Sequence, residues 1–350
     1  MSSNTTMLKY LKISGTPYDA GLALGEYGRE AVHEHLIHSP AWHKVMCWRD
    51  SDKLAHMEAL VRERHPSCWR ELEGMAHGLG LPLKDVFLWN CRGDVLAMTP
   101  DGCTTVLLPG RDVRGLVHNE DGDPGFAGHC AIAEMDVGGV KFSSFVYPAS
   151  LPGHTIAVTD SGLAVTVNNL RGLHVGAGVP RMVLVRALLG ERDLAGATRL
   201  LNESPRAGGF HLTLAHRDSP DLLSVEFIDT HCSIQVVEAP SLHANHMIHR
   251  SLRDRPQIIT GSSGWRQIVG DQLLADSADP SKDALAILRN QDNQNFPIYR
   301  DASDDCDHEN TLATADIRVS RNRIEWQVYS SRNGPPQFHM IDGRRAEKQD

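Results

Sequence analysis

Cys103 directly follows a glycine in the stretch MTPDGCTTVLL, residues 98–108. The Pro-Asp-Gly run predicts a turn, and the threonine-rich apolar residues after the cysteine predict a β-strand. A free thiol has a pKa of about 8.5 and needs a neighbouring base to act as a nucleophile. Cutting the Gly102–Cys103 bond would supply one, because the new α-amine of Cys103 could take the thiol proton. Gly102 suits such a cut, since it leaves its carbonyl open to attack. A buried structural cysteine is the alternative.

Two other polar residues could complete such a site. In GLVHNEDGDP, residues 115–124, Asp121 ends a predicted strand that can form a hairpin with the strand beginning at Cys103. That hairpin would place a carboxylate near the thiol and the amine, whereas the alternative is a loop of solvated acids. In SLHANHMIH, residues 241–249, Asn245 lies between apolar positions. Its amide N–H could donate to a developing oxyanion, or it could be a buried turn residue.

Metal chemistry is considered for two further motifs. His243, His246 and His249 recur every third residue, but no carboxylate is interleaved and they follow a predicted strand. We therefore expect structural histidines there and keep a metal-dependent hydrolase as a distant alternative. HNEDGDPG resembles half of a calcium loop but lacks the later glutamate and the flanking helices. No metal and no cofactor are predicted.

The composition restricts the class of partner. The formal net charge is -9, and no cluster of Lys or Arg is available to neutralise phosphates, so no nucleic acid is expected. No signal peptide and no apolar run of about 18 residues is found, so no membrane partner is expected. The 7 cysteines form no CxxC pair, which indicates reduced thiols and a cytoplasmic protein. A small molecule, and a cationic one in particular, is the expected partner.

The periodicity of the sequence predicts which elements position these residues. The first hundred residues are mainly helical, with helices from Thr16, over 51–65 and over 66–81. After Cys103 the period changes to two, which predicts a series of short strands to about residue 170. Helices over 180–190 and 193–203, further strands, a helix over 281–291 and a closing hairpin follow. The pattern predicts an α+β protein with antiparallel sheets and helices on their faces.

These motifs resemble the family of acyl-CoA:isopenicillin N acyltransferase, whose members are autoproteolytic cysteine Ntn (N-terminal nucleophile) hydrolases. The resemblance covers nearly the whole chain and rests on DGCTTV, HNED, HANH near residue 245, ENTLATA near residue 312 and two helical segments upstream, TPYDAGLALGEYG and LEGMAHGLGLPLKDVFLWNCRGD. Within the family, the branch of insect N-β-alanyldopamine hydrolase (carcinine hydrolase) is the most similar. That branch has a similar H-T-E-D segment, a similar LPGxT turn (residues 151–155) and a similar helix start at Pro180-Arg181.

The resemblance implies an Ntn-hydrolase fold, an αββα sandwich of four layers. It implies self-cleavage at Gly102–Cys103 into a mainly helical α-chain, residues 1–102, and a β-chain, residues 103–350, which together form one domain. It makes Cys103 the nucleophile of both self-cleavage and catalysis. Asp121 would support the α-amine, and Asn245 would form part of the oxyanion hole.

The substrate-binding residues are expected to be His118, Glu120 and His211. His118 occupies a position that is arginine in the related acid ceramidases and glutamine in the penicillin enzyme. Glu120 and its acidic neighbours would select an ammonium group. His211 lies in GGFH, where the penicillin enzyme has AASA, and DHENTL, residues 307–312, lacks the serine and arginine of the penicillin enzyme's SRGATL. The departure in DHENTL argues against exchange of penicillin side chains, and GGFH suggests a different substrate pocket.

The resulting expectation is an amidohydrolase that cleaves a small N-acyl amine through a thioester on Cys103. A β-alanyl amide of a biogenic amine is the most specific candidate. An N-acyltransferase that passes the acyl group to an amine is the first alternative, and an uncleaved Ntn-fold binding protein is the second. The mature protein is expected to be an α/β heterodimer, with any further oligomerisation left open.

Overall fold

A computed structural model describes residues 7–98 and 102–346. Two β-sheets lie face to face between two groups of helices. The α-helices are α1 (Pro17–Glu34), α2 (Pro40–Met46), α3 (Asp52–Arg64), α4 (Pro66–Leu79), α5 (Leu83–Asn90), α6 (Arg92–Val95), α7 (Arg181–Leu188), α8 (Leu194–Glu203), α9 (Gly261–Asp276) and α10 (Pro280–Leu288).

The two sheets divide the strands between them. Sheet A contains, in spatial order, β1 (Lys9–Gly15), β4 (Ala131–Val137), β5 (Val140–Val146), β6 (Ile156–Thr159), β7 (Leu163–Leu170), β8 (Gly209–His216), β9 (Leu222–Ile228) and β10 (His231–Val236). Sheet B contains β11 (Ser241–His243), β2 (Gly102–Leu108), β3 (Val113–Gly122), β12 (Asn310–Ser320), β13 (Ile324–Tyr329), β14 (Phe338–Ile341) and β15 (Arg344–Arg345).

Contacts between the elements define four layers. Helix α1 packs on β1 and β4, and α8 packs on β8 and β10, so one helical layer covers sheet A. Strands β2 and β3 contact β7, which places sheet B against sheet A. On the far side of sheet B, α10 packs on β2 and β3, and α9 packs on β11. A separate apolar cluster that includes Val106, Val117, Leu274 and Ile287 fills that last interface. The predicted α+β fold with αββα layers is confirmed.

The hairpin of β2 and β3 positions the predicted site. Its strands are antiparallel, as expected for the predicted hairpin, and the structure places Gly102 opposite Asp121 and Cys103 opposite Glu120. On the other side of β3, strand β12 carries a β-bulge between Thr311 and Ala313, opposite Asp121 and Glu120. A bulge changes the direction of nearby side chains and is common next to active sites. The predicted site therefore lies where the regular pairing of sheet B is interrupted.

The first predicted helix is confirmed in detail. Thr16 caps α1 through a capping box with Asp19, and Pro17 occupies the first turn. A close contact between α1 and α4 depends on glycine. A Cβ added to Gly21 would lie 1.8 Å from the carbonyl oxygen of Glu71. The backbones of the two helices therefore approach more closely than any other residue would permit.

Several features of the fold were not predicted. Helix α9 was missed because its first turn, Gly-Ser-Ser-Gly, consists of poor helix formers, although Thr260 provides a side-chain N-cap. The sheets are antiparallel as predicted, except that the unpredicted strand β1 pairs in parallel with β4. Strands β14 and β15 extend the predicted closing hairpin. Across 7–98 and 102–346, none of the helices combines the length and apolarity needed to cross a bilayer.

Candidate active site

Cys103 lies on the face of β2 that is directed at sheet A. Its side chain is 4% exposed, and its Sγ is 3.8 Å from Oε2 of Glu120, its partner across the hairpin. Glu120 Oε1 accepts a hydrogen bond from the Tyr147 hydroxyl at 2.9 Å, and Oε2 lies 3.2 Å from His118 Nε2. The structure thus brings together a thiol, an imidazole and a carboxylate, all three predicted as site residues.

Hydrogen bonds on the far side of the imidazole fix its tautomer. The Thr105 hydroxyl donates to Asn168 Oδ1 at 2.7 Å, so it accepts the hydrogen bond from His118 Nδ1, also at 2.7 Å. Burial lowers the pKa of His118 to about 3, so the ring is neutral near pH 7. Nε2 of His118 therefore carries a lone pair, and it lies within 4.8 Å of Cys103 Sγ.

The backbone of Cys103 is held by Asn245 and Arg266. The amide N–H of Cys103 donates to Asn245 Oδ1 at 2.9 Å, and Arg266 Nη2 donates to the same oxygen at 2.6 Å. Arg266 Nη1 donates to the carbonyl oxygen of Cys103. Asn245 Nδ2 donates to the carbonyl oxygen of Asn169 at 3.2 Å. The Asn245 side chain therefore presents its oxygen to the nitrogen that cleavage would expose, and its role in an oxyanion hole stays a prediction.

Asp121 is buried opposite Gly102. Its Oδ1 accepts from the Thr311 hydroxyl at 2.6 Å, while its buried Oδ2 has no hydrogen-bond partner among residues 7–98 and 102–346. Burial raises the pKa of Asp121, an effect that Arg266 and Arg300 oppose. A buried carboxylate oxygen without a donor is costly unless a cation or donor reaches it.

His211 lies behind this site. It is fully buried on β8, where Nδ1 is 3.1 Å from Asn168 Oδ1 and Nε2 is 2.9 Å from Ser224 Oγ. Its ring stacks on His243 with 3.5 Å between centroids. His211 reaches His118 through Asn168 and Thr105, so its contact with substrate stays a prediction.

The histidines of SLHANHMIH have separate partners. His243 Nε2 lies 2.9 Å from Glu226 Oε1, His246 Nδ1 lies 2.8 Å from Ser263 Oγ, and His249 Nε2 lies 2.9 Å from Ser224 Oγ. Within the described ranges, the ligand atoms that lie close enough to share one ion belong instead to Cys103, His118 and Glu120. Sulfur, nitrogen and oxygen donors of this kind suit zinc, so this group could hold a metal ion.

Sequence reasoning missed four residues of the site, namely Tyr147, Arg266, Arg300 and Glu309. Arg266 lies on α9, the helix that was not predicted. Glu309 begins ENTLATA, a segment that was used to identify the family and to argue against penicillin exchange, but its glutamate was given no role. Arg300 donates through Nη1 to Glu309 Oε2, so it places a guanidinium beside the segment that lacks the penicillin enzyme's arginine. Charged residues are rarely buried, so a buried arginine or glutamate would have marked these positions as functional. The sequence alone does not show which residues are buried.

A cleft next to the site ends at Tyr147. It is lined by aromatic and polar side chains, including Trp89, Phe126 and Asp123. Because the Tyr147 hydroxyl donates to Glu120, this cleft lies one hydrogen bond away from the carboxylate beside Cys103. Its volume of about 20 Å³ holds no more than a single water molecule, so the cleft is too small for a ring-bearing group.

Comparisons with known proteins identify the family of the chain. A family model described as acyl-coenzyme A:6-aminopenicillanic acid acyl-transferase matches residues 109–333, a segment that contains Asp121 and Asn245 and begins after Cys103. The β-alanyl-dopamine/carcinine hydrolase of Drosophila melanogaster is 24% identical over 217 residues, which cover 54% of this chain and 56% of that protein. The match thus spans little more than half the length of that relative.

Two solved structures are also similar, both of single-residue variants of conjugated bile acid hydrolase from Clostridium perfringens. One variant superposes with a TM-score of 0.44 over 70% of this chain and 98% of its own, at 10% identity. The other gives a TM-score of 0.42 over 71% and 97%, also at 10% identity. The family match covers well over half of this chain, and the chain belongs to the acyl-coenzyme A:6-aminopenicillanic acid acyl-transferase family.

Proposed function

We propose that this protein is an Ntn amidohydrolase that cleaves a small N-acyl amine through a thioester on Cys103. Self-cleavage at Gly102–Cys103 would produce it, giving the α-chain 1–102 and the β-chain 103–350 as a cytoplasmic heterodimer. One observation carries the proposal: a buried cysteine begins β2 with its backbone nitrogen bound by Asn245 and with the carboxylate of Asp121 opposite the preceding glycine. A structural cysteine would not need this arrangement, because the polar groups surround its peptide nitrogen and not its thiol.

Cleavage would convert the Cys103 nitrogen into an amine. Asn245 Oδ1 already accepts a hydrogen bond from this nitrogen. Asp121 Oδ2, buried without a donor in the described part of the chain, would gain a cationic partner once the amine is protonated. The α-amine could then accept the thiol proton, which makes Cys103 a competent nucleophile.

Turnover would proceed in two halves. The thiolate attacks the amide carbonyl, the α-ammonium protonates the leaving amine, and the acyl group stays on sulfur as a thioester. The α-amine then takes a proton from water, whose oxygen attacks the thioester and releases the acid. Donors around the carbonyl oxygen would stabilise the oxyanion in both halves, and we include Asn245 among them.

Glu120 gives this proposal its substrate class. The carbonyl carbon of a bound acyl group lies one bond from Sγ, and Glu120 Oε2 is 3.8 Å from Sγ. In a β-alanyl group, the ammonium nitrogen lies about 4 Å from the carbonyl carbon. An ammonium of this length can therefore reach Glu120, and the new cation would favour the ionised carboxylate. We place His118 beside it in the same acyl-binding pocket and keep His211 behind them as a further contact.

The similarity to β-alanyl-dopamine/carcinine hydrolase supports a β-alanyl amide of a biogenic amine as the substrate. Family membership also supports a second candidate, acyl transfer to an amine, because one thioester can be attacked by either an amine or water. Added hydroxylamine separates the two, since a transferase forms the hydroxamate in preference to the free acid.

The experiment that tests the proposal combines intact-mass spectrometry with hydrolysis assays. We expect purified wild-type protein to contain two chains that meet at Gly102–Cys103, and to hydrolyse β-alanyl-dopamine. Cys103→Ala should remain a single inactive chain, whereas Cys306→Ala, which removes an exposed cysteine, should be cleaved and active. A wild-type protein that stays intact would overturn the proposed self-cleavage. A cleaved protein that hydrolyses other acyl amides but no β-alanyl amide would overturn the proposed substrate. The first outcome would favour an uncleaved binding protein.

A further inference from the structure

Glu309 is a buried carboxylate packed against the glycine of the proposed cleavage site. Its side chain is about 2% exposed, and a Cβ built on Gly102 would lie 2.2 Å from Glu309 Oε2. Oε2 is therefore in direct contact with the residue whose carbonyl the thiol would attack. Glu309 precedes β12. Successive residues of a strand point to opposite faces of the sheet, so Glu309, which contacts the Cβ direction of Gly102, lies on the face opposite to the Cys103 side chain.

Several charges surround this carboxylate. Arg300 Nη1 donates to Oε2, and Arg171 Nη2 lies 3.7 Å from Oε1. Arg300 also pairs with Asp305 and Asp307, so three carboxylates share its charge. Burial raises the pKa of Glu309 to about 7, with Arg300, Arg171 and Arg266 lowering it and Asp121 raising it further. Glu309 can therefore exchange a proton near neutral pH.

Self-cleavage needs a base that the uncleaved chain cannot obtain from Cys103 itself. In the mature enzyme the α-amine of Cys103 serves this purpose. Before cleavage that nitrogen belongs to a peptide bond, has no basic lone pair and donates its hydrogen to Asn245. Once the C–N bond breaks, the released amine takes a further proton from solvent and pairs with Asp121 as an ammonium. A different group at Gly102 must therefore take a proton from the water that hydrolyses the thioester.

We propose that Glu309 is the general base of self-cleavage, acting at the thioester that forms between Gly102 and Cys103. This inference rests on the proposed function. First, Cys103 Sγ bonds to the Gly102 carbonyl carbon, the C–N bond breaks, and the thiol proton passes to the nitrogen. Then Glu309 takes one proton from water while the water oxygen bonds to the same carbon. The C–S bond breaks and the α-ammonium protonates the departing sulfur. The protons left on Glu309 and on the new carboxyl group pass to solvent, which leaves Gly102 as a free carboxylate.

The test measures the rate of self-cleavage in freshly synthesised full-length protein by intact mass, from pH 6 to pH 8.5. For the wild type we expect the rate to rise as pH passes about 7, where Glu309 loses its proton, and then to level off. Glu309→Gln should cleave at least about 100-fold more slowly, and its rate should show no rise at that pH. Asp307→Asn removes a carboxylate from the same arginine and should keep the wild-type profile.

The outcomes separate this inference from the proposed function. A wild-type chain that never cleaves rejects the proposed function, and the inference with it. A Glu309→Gln chain that cleaves at the wild-type rate with the wild-type pH profile rejects the inference alone. If Glu309→Gln does not fold, Glu309→Ala with added formate decides, since rescue of cleavage by a small carboxylate supports a base and a lack of rescue contradicts it.

Discussion

At the residue scale, the site contains more carboxylates than its chemistry at sulfur requires, and their positions separate their roles. Glu120 lies on the thiol side of the hairpin, 3.8 Å from Sγ, whereas Asp121 and Glu309 lie on the side of Gly102. Strand geometry enforces this separation, because successive residues of β3 point to opposite faces. This separation is consistent with the roles proposed for Glu120 toward substrate and for Asp121 toward the new α-amine.

Replacing Glu120 by Gln should change the choice of substrate. The change removes a charge that would pair with the ammonium of a β-alanyl group, and hydrogen bonds to charged groups contribute about 1.5–3 kcal/mol. We expect kcat/KM for β-alanyl-dopamine to fall about 10- to 100-fold, with a much smaller loss for butyryl-dopamine, which has the same length without the ammonium. Steady-state kinetics on the two amides measures the difference. Equal losses on both would show that Glu120 does not recognise the ammonium.

Sequence reasoning identified the site residues that lie in recognisable motifs or in strands that are neighbours along the chain. The hairpin of β2 and β3 follows from two short strands joined by a turn, so Cys103, Glu120 and Asp121 could be placed together from the sequence. Arg266 and Glu309 could not, because each arrives from an element distant in the sequence. Only the packing of α9 on β11, and of the segment before β12 beside Gly102, brings their charges to the site.

At the element scale, the contact between α1 and α4 shows what local pattern does and does not reveal. The N-cap and apolar spacing of α1 could be read from the sequence, and both helices occur nearly as predicted. The reason for their glycines could not. A Cβ on Gly74 would lie 1.9 Å from the carbonyl oxygen of Tyr18, and one on Gly78 would lie 2.3 Å from that of Leu22. These glycines are required by the partner helix and not by their own.

Gly74→Ala should therefore destabilise the protein although alanine favours helices. The added methyl group meets backbone, which cannot rotate away, and overpacking of this kind costs about 3 kcal/mol. Gly264→Ala is the matched control. Gly264 lies in a different helix, α9, and its Cβ would meet nothing closer than Ile259 Cγ2 at 3.6 Å. It should be neutral or stabilise by up to about 1 kcal/mol. Urea unfolding measures both, and equal stabilities would contradict the close approach of α1 and α4.

At the scale of the whole molecule, the proposed cleavage divides one packed domain into two chains. Strand β1 of the α-chain pairs with β4 of the β-chain along its full length, from Lys9 to Gly15. Glu71 on α4 forms a buried ion pair with Arg186 on α7, with Nη2 and Oε2 2.9 Å apart. Asp94 Oδ1 accepts from the backbone N–H groups of Arg181 at 3.0 Å and Gly208 at 2.7 Å. A strand, an ion pair and a buried carboxylate thus join the two parts.

We therefore expect the two chains to stay together after cleavage and to separate only on unfolding. In size-exclusion chromatography they should elute as one species, and in denaturing electrophoresis as two. Glu71→Gln should weaken their association, since it leaves the Arg186 guanidinium buried without its carboxylate, and breaking a buried pair costs about 3–5 kcal/mol. Glu58→Gln is the control, because its pair with Arg62 lies within one helix of the α-chain. Release of the α-chain from the wild type under native conditions would contradict this prediction. It would show that the contacts of β1 and α4 do not hold the α-chain to the β-chain after cleavage.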